Sequence, residues 1–560
     1  MTHAQHTLLA DRAPAQDPVR PLPRAPRRWA VPVLVALLLA QMAAVMVTAA
    51  VRQTPTIDEP VYVATATDYL HEHRLRYNPE HPPLGKLLIA AGVAVADPHY
   101  DPSYPGTQGD VGRHLLYESG NDPWRLMLWA RLPVIVLTLL FGLVAFAFAR
   151  DLAGPVGGLT ALALYTFSPD LVAHGSLATL DVPAAGFVLT SAWLALRARH
   201  RPGRWLPLSG AALGAAVATK MNALPAVPVL MLLAAVSAVA ADRELSPAGG
   251  RRRRLRAAAA GAGVVLVVAL AVVWVSYLAV DPRLRFSPAE PVPVLHGLHA
   301  LLVDLMPVPP AYRAGMRVQF GLENQPWQGY LFGHLYTGPL WYYLPAALLV
   351  KTPLGLLAVG LAGAVALVAV RRLRPSAPYL LLPPLVLLAA AMTSTRDFGT
   401  RYALFVPMSL AVAAACLRVP RRRWATGATA VLVLCTAVSS LGTFPYYLPY
   451  SNEAFGGPAG THRVLHDSNV DWGQDLGRLA DRLRTRYPGE RVWLVYKGSG
   501  VPAYYGIRAE DPRGVPPERV HGLLVVSDSA VAKARGTFAR LLASRRAVGD
   551  VGHSISLYRR

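Results

Sequence analysis

Apolar stretches of roughly 16 to 24 residues recur along the chain, closed off by arginine, proline or glycine. They lie near 29–50, 126–149, 154–171, 180–197, 205–220, 222–241, 257–280, 353–370, 377–394, 401–418 and 424–442. A hydrocarbon core about 30 Å thick is crossed by about 20 helical residues. Inside it the backbone must satisfy its own polar groups, so each run is expected to be helical. The chain is therefore predicted to be a polytopic α-helical membrane protein with about eleven spans. The composition agrees. Hydrophobic residues make up 53% and charged residues 16%, against about 25% charged in soluble domains.

The formal charge of +22 would suit nucleic acid or anionic lipid. Its distribution excludes nucleic acid as the reading. The arginines cluster in short turns between apolar runs, as at Arg251 to Arg254 and Arg421 to Arg423. Placing Arg20, Arg24, Arg27 and Arg28 in the cytoplasm also puts inside the turns at Arg150, Arg197 to Arg204, Arg243 to Arg256, Arg371 to Arg374 and Arg418 to Arg423. The expected setting is the plasma membrane, crossed many times, with the N-terminus inside and the C-terminus outside. The first run exceeds a usual signal-peptide core, so it is read as an uncleaved span. Cys416 and Cys435 both fall in apolar runs and are expected to be small buried hydrophobes rather than a disulfide framework.

This topology divides the chain into a disordered cytoplasmic segment 1–28, a transmembrane domain 29–442 and an extracytoplasmic α/β domain 443–560. Loops 51–125 and 281–338 lie outside. In the tail, RVWLVYK (Arg491 to Lys497) and GLLVV (Gly522 to Val526) read as buried strands, and stretches near 474–486 and 529–545 as helices. Trp341 to Lys351 is read as a helix at the outer interface, with Trp341, Tyr342 and Tyr343 at headgroup depth. No internal repeat appears, which speaks against a secondary transporter.

Several polar residues are placed where chemistry is plausible. In TPTIDEPVY, Asp58 and Glu59 precede Pro60; the pair is either a helix cap or a catalytic base at the mouth of a cavity. In NPEHPPLGK, His81 and Lys86 flank a helix start, which suits either a phosphate or a kinked loop with a snorkelling lysine. Asp181 opens one span and Lys220 closes another, as anchors or as cavity charges. In STRDFGTRYALF, Arg396 and Arg401 run against the positive-inside trend. A bound lipid phosphate accounts for them, and a salt bridge with Asp397 is the rival. The second loop mixes aromatics with Glu323, Asn324, Gln328 and His334, a composition suited to sugars or to an interfacial belt. Asp467, Asn469 and Asp471 have EF-hand spacing, but Trp472 and Arg478 stand where glycine and glutamate are needed.

The acidic pair after the first span, HPPLGK, Asp181, WYYLPAALLVKTPLG and FGTRYALFVP, in that order, resemble the lipid-carrier-dependent glycosyltransferases of the GT-C superfamily. The nearest type is the protein O-mannosyltransferase family (glycosyltransferase family 39 type), with bacterial aminoarabinose transferases more distant. DSNVDWGQDL followed by PAYYGI resembles bacterial members. The resemblance spans about residues 50–510. It implies a GT-C fold, with Asp58 as the catalytic aspartate and Glu59 as its partner. It implies donor-phosphate contacts from Arg396 and Arg401, and Lys220 and Asp181 fall at matching family positions; Lys220, His81 and Lys86 are further candidates for the phosphate, and Asp181, His334 and Glu323 for the cavity. Aminoarabinose transferases carry lysine where this chain has His81, and neutral histidine is a poorer phosphate ligand. Eukaryotic protein mannosyltransferases insert a β-trefoil domain in the second long loop, which here has only about 60 residues.

The activity implied is inverting transfer of a sugar, such as the hexose mannose, from a polyprenyl-phosphate carrier to an acceptor hydroxyl on the outer face. The acceptor is a protein, a lipid or a glycan, and membrane lipid is the other partner. A divalent metal bridging Glu59 and the phosphate is compatible with this chemistry, but the sequence shows no ligand cluster. The alternative reading is a transporter or flippase for a lipid-linked glycan.

Overall fold

The computed structural model describes residues 29–419 and 423–559. The segment 1–28, with Arg20, Arg24, Arg27 and Arg28, lies outside the described residues, as do Arg421 and Arg422. Every one of the apolar runs is helical. The chain begins with α1 (Ala30–Arg52), α2 (Glu59–His71), α3 (Pro83–Ala96), α4 (Gln108–Tyr117) and α5 (Pro123–Thr166). Then come α6 (Pro169–Gly175), α7 (Asp181–Arg197), α8 (Pro202–Thr219), α9 (Ala226–Leu245) and α10 (Arg251–Leu278). After α11 (Gly297–Leu305) and α12 (Pro310–Glu323), a hairpin of β1 (Gln328–Leu331) and β2 (His334–Thr337) leads to α13 (Tyr343–Lys351) and α14 (Leu354–Ala369). The bundle closes with α15 (Ala377–Ala391), α16 (Phe405–Ala414) and α17 (Arg423–Thr443).

Among the described residues, five helices are both long and apolar enough to cross a membrane, or six if the bent pair α13–α14 is one span. The others are shorter, as α7 with 17 residues, α14 with 16 and α15 with 15. The runs 126–149 and 154–171 are two arms of α5, broken at Gly154, whose φ of 77° precedes Pro155. Proline cannot donate to the preceding turn, and glycine tolerates the left-handed backbone. The chain is a multi-pass membrane protein.

Small residues let the helices close up. On α8, a Cβ at Gly210 would stand 2.8 Å from the Val265 carbonyl oxygen of α10, and one at Gly214 would stand 2.6 Å from that of Ala269. This four-residue spacing is the small-residue seam expected where lipid supplies no hydrophobic drive. The basic turns gather at one end, where Arg199 donates to the Pro375 carbonyl at 3.3 Å and His200 lies 3.5 Å from Glu244. The loops holding Asp58, Lys220 and Arg401 gather at the other.

The tail contains α18 (Leu476–Arg486), β3 (Val492–Val495), β4 (Ala509–Glu510), β5 (Leu523–Ser527), α19 (Asp528–Ala532), α20 (Gly536–Ala543), β6 (Arg546–Val551) and β7 (Ile555–Arg559). The sheet order is β4-β3-β5-β7-β6, with β3 parallel to β5. The two buried strands read from sequence are the sheet's centre. The hairpin β6–β7 was not foreseen, because charged and glycine residues interrupt its alternation. The stretch read as one helix near 529–545 is split into α19 and α20.

Residues 445–475 belong to neither the sheet nor a span. They thread back into the bundle. Asn452 donates through its side chain to the carbonyls of Leu349 (2.7 Å) and Thr352 (3.0 Å), and its amide donates to Val350 (2.9 Å). Those carbonyls are exposed by the 117° bend between α13 and α14 at Pro353, which otherwise leaves a helix end without partners. Asn469 donates to the Tyr343 hydroxyl at 2.9 Å. Tyr343 is therefore buried rather than at headgroup depth, unlike Trp341 and Tyr342, which are exposed. Cys416 is buried as expected, whereas Cys435 is exposed on α17.

Truncation after residue 443 removes these bonds together with the sheet. We expect the shortened chain to lose its monodisperse peak in size-exclusion chromatography. A truncated chain that stays monodisperse would show that the bundle stands without this segment.

Candidate active site

The loop after α1 is pinned by the tail. The Thr54 amide donates to the Gln474 carbonyl and the Ile57 amide to the Trp472 carbonyl, both at 3.0 Å. The Thr54 hydroxyl donates to Gly473 (2.9 Å), and Ser499 donates to the Thr56 carbonyl (2.9 Å). The VDWGQ segment thus acts as a short partner strand for TPTI.

This clasp sets the two acidic residues on different tasks. Glu59 is fully buried. Its oxygens take Arg131 Nε at 2.7 Å and Nη2 at 2.6 Å, the Thr56 amide at 2.8 Å and the Ala178 amide at 2.8 Å. Burial works against its charge, and the Arg131 guanidinium with these amides outweighs burial, holding the carboxyl below its ordinary range. Arg131 also donates to the carbonyls of Ala50, Gln53 and Thr54, so all five of its N–H groups are engaged. Glu59, expected beside Asp58 in the site, instead faces away from the cavity and fixes the α1–α2 loop on α5. Its engaged oxygens leave no place for a bridging metal. Among the described residues, no group of three His, Cys, Asp or Glu is placed to hold one.

Asp58 caps nothing. It turns into a cavity of about 670 Å³ and accepts from Arg401 Nη1 at 2.6 Å. Arg401 is held in turn by rings, with its guanidinium carbon 4.3 Å from the Trp472 ring centroid and 4.9 Å from that of Tyr402. Its Nε is buried without a partner. The turn that delivers it passes through Gly399, φ 145°, where a Cβ would meet the Ser468 hydroxyl at 2.3 Å.

Lys220 also lines the cavity, where α8 ends. It donates to Asp181 at 2.5 Å and lies 4.9 Å from the Tyr402 ring centroid. Asp181 stands behind it as its counterion and does not line the large cavity. Arg396 lines the wall and donates to Glu323 (Nε, 2.9 Å) and Gln319 (Nη2, 2.5 Å). Glu323 is fixed by Ser394 and the Thr395 amide. Asp397 pairs with neither arginine. It accepts from the Tyr336 hydroxyl (2.9 Å) and the Leu340 amide (3.2 Å), and burial pushes its carboxyl up to about 6.

Two expected site residues stay out of the cavity. Lys86 is buried and donates to the carbonyls of Asn78 (2.8 Å) and His81 (2.7 Å), so it shapes the loop behind the wall. His334 is exposed on the β1–β2 hairpin. His81 does line the cavity. Burial, with Lys220, Lys86, Arg396 and Arg401 nearby, holds its imidazole well below its ordinary range and therefore neutral.

Sequence reasoning missed the groups that brace the site. Lys351 reaches Asp170 at 3.3 Å and the carbonyls of Leu448 and Asn469. Thr400, beside Arg401, donates to Asp170 at 2.7 Å. Lys351 ends an apolar helix, and that was the one visible signal. Of the three residues with EF-hand spacing, Asp467 is salt-bridged to Lys497 and Asn469 accepts from the Thr400 amide. Asp471 is buried against the Gly473 and Ser529 amides, and burial pushes its carboxyl up to about 7.

The family model described as dolichyl-phosphate-mannose-protein mannosyltransferase matches residues 35–280. That span contains Asp58, His81, Asp181 and Lys220 and supports the resemblance read from the motifs. No curated protein matches the chain by sequence. Among solved structures, the chain is similar to a protein O-mannosyltransferase complex of S. cerevisiae bound to its sugar donor (19% identity, TM-score 0.37). That alignment covers 45% of this chain and only 34% of the yeast one, so the chain spans about a third of that relative's length. It is also similar to ArnT from Cupriavidus metallidurans bound to undecaprenyl phosphate (14% identity, 94% of this chain and 97% of that one, TM-score 0.47). A third likeness is to the oligosaccharyltransferase of Archaeoglobus fulgidus in its apo form (12% identity, 93% and 73%, TM-score 0.42).

Two stability measurements follow from this geometry. Replacing Arg131 by Met leaves Glu59 buried without its cation. We expect a loss of about 3–5 kcal/mol, read as a large fall in melting temperature; an unchanged melt would mean that the pair is dispensable. The Asp471 carboxyl lies above its ordinary value of 3.8 when folded. Its contribution is therefore full below about pH 4 and lost as pH rises to about 7. Asp471→Asn should raise the melting temperature at pH 8 and change little at pH 4, and the opposite order would overturn the assignment.

Proposed function

We propose that the chain is an inverting glycosyltransferase that moves a sugar, a hexose such as mannose, from a polyprenyl-phosphate carrier to an acceptor hydroxyl. One observation carries this reading: a single cavity brings Asp58 together with the three cations Lys220, Arg396 and Arg401, and sets an apolar wall of Leu224, Leu344, Leu387 and Phe405 beside them. That combination suits an amphiphile with an anionic head. The motif order and the family match on residues 35–280 support the same chemistry.

In this mechanism the acceptor oxygen attacks the anomeric carbon while the bond from that carbon to the phosphate oxygen breaks. The electron pair leaves with the phosphate, and Asp58 takes the acceptor's proton. Arg401, Arg396 and Lys220 stabilise the departing charge. A phosphate is already a good leaving group, so no general acid is required. A single displacement inverts the anomeric centre. Arg401 is the counterion of Asp58 before the donor arrives. A phosphate that takes up this guanidinium releases the carboxylate to act as base.

The basic turns are assigned to the cytoplasm by the positive-inside rule. The cavity and the C-terminal unit then face the outside of the plasma membrane, where the acceptor is met.

Asp58→Asn in purified, folded protein should lower transfer from undecaprenyl-phosphate mannose by about 10²–10⁴-fold with little change in melting temperature. Near-wild-type transfer would remove Asp58 as the base. Movement of the lipid-linked sugar across vesicles without any new glycosidic bond would favour a flippase instead.

A further inference from the structure

The cavity wall carries a second polar group, which the proposed mechanism does not use. Glu80, Gln108, His81 and Asn78 form it. Glu80 is 9% exposed. Its Oε1 accepts from Asn78 Nδ2 at 2.7 Å and from Gln108 Nε2 at 3.1 Å. Among the described residues, no partner engages its Oε2, and no Lys, Arg or His forms an ion pair with it.

Two neighbours carry buried atoms without partners: Gln108 Oε1 and His81 Nδ1. The Gln108 amide cannot be turned to relieve this, because its oxygen would then face the Glu80 carboxylate. Buried polar groups left unpaired are costly, and these two atoms, with the unpartnered Glu80 Oε2 beside them, ask for a ligand.

The chemistry of that ligand is constrained from several sides. A carboxylate and an amide oxygen are acceptors, so the ligand must donate. They repel a phosphate, and an apolar chain would leave them unpaired. The neutral His81 ring offers one donor and one acceptor. Hydroxyl groups on adjacent carbons meet all these demands, since each both donates and accepts. An ammonium group would suit Glu80 alone, but it would stand among the same cations that keep His81 neutral.

The group is also wired to the phosphate side. Gln319 donates to the Glu80 carbonyl at 2.9 Å and accepts from Arg396 at 2.5 Å. One amide therefore links the two.

We propose that Glu80, Gln108 and His81 form a subsite that reads the hydroxyls of a neutral sugar and so selects the donor. This rests on the glycosyltransferase reading above and adds the determinants of specificity. Sites built to hydrogen-bond a hydroxyl discriminate strongly, because the wrong ligand leaves their buried groups unpaired.

Binding measurements on the purified full chain in detergent test it. The probes are bare undecaprenyl phosphate and its mannose, glucose, galactose and aminoarabinose conjugates. Wild type should bind one neutral conjugate more tightly than the bare carrier. Gln108→Ala and Glu80→Gln should each lose roughly tenfold in affinity for that conjugate, while binding bare carrier within about twofold of wild type. Gln108 is half-buried, so its variant serves where Glu80→Gln fails to fold.

The subsite is overturned if both variants weaken the two ligand types alike, if neither variant weakens the conjugate, if wild type binds the conjugates no better than the bare carrier, or if it favours the amino sugar. Failure of wild type to bind any of the lipids would instead overturn the glycosyltransferase reading, and the subsite with it.

Discussion

The fully buried pair of Glu59 and Arg131 is the contact on which the loop end of this protein depends. It joins the first residue of α2 to the N-terminal part of the apolar helix α5, and it draws in the carbonyls that α1 leaves open at its end. Such a pair is poor evidence for stability in itself, because desolvation offsets much of its attraction. Its worth is positional. With both Glu59 oxygens committed to Arg131, Thr56 and Ala178, the next side chain back, Asp58, has one direction left, into the cavity. Two adjacent carboxylates thus acquire opposite fates from one geometric decision.

The tail completes that decision from the other side. The segment around Trp472 pairs with the loop at Thr54 and Ile57, and its indole lies against the Arg401 guanidinium. A flat aromatic face holds a guanidinium without occupying its N–H groups. Arg401 is thereby fixed with its Nη1 on Asp58 and its Nη2 on the Tyr402 hydroxyl, while its Nε has no partner. Lys220 is held differently, by Asp181 directly. The cavity therefore contains Arg401, set between rings and the Asp58 carboxylate, and Lys220, held by Asp181, beside helices that carry an apolar wall.

Much of the helical architecture was legible, since long apolar runs cannot be hidden any other way in a chain of this composition. The break at Gly154-Pro155 and the bend at Pro353 fall near the boundaries between those runs, at residues that interrupt helices. The site was legible in part. Asp58, Lys220, Arg396 and Arg401 stand together on one cavity, although some 340 residues separate the first from the last. Glu59 was misread because adjacency in sequence says nothing of direction at a helix start. Lys86 and His334 were misread for the same reason: a polar residue near a loop is a candidate, and only its partners decide. Arg131 and Asp170 were invisible because a single polar residue inside an apolar stretch carries no sign of what will face it.

The sequence by itself determined that this chain lives in a membrane, which residues form its helices, and that a few charges lie apart from the basic turns. These follow from local composition and period, which act over one turn or one span. Only the tertiary structure decided which carboxylate meets the cavity, which cation stays available to an anion, and that residues 445–475 tie the bundle to the sheet. Those outcomes depend on hydrogen bonds between segments hundreds of residues apart. Their free energies arise when the helices are already packed, so no local pattern records them.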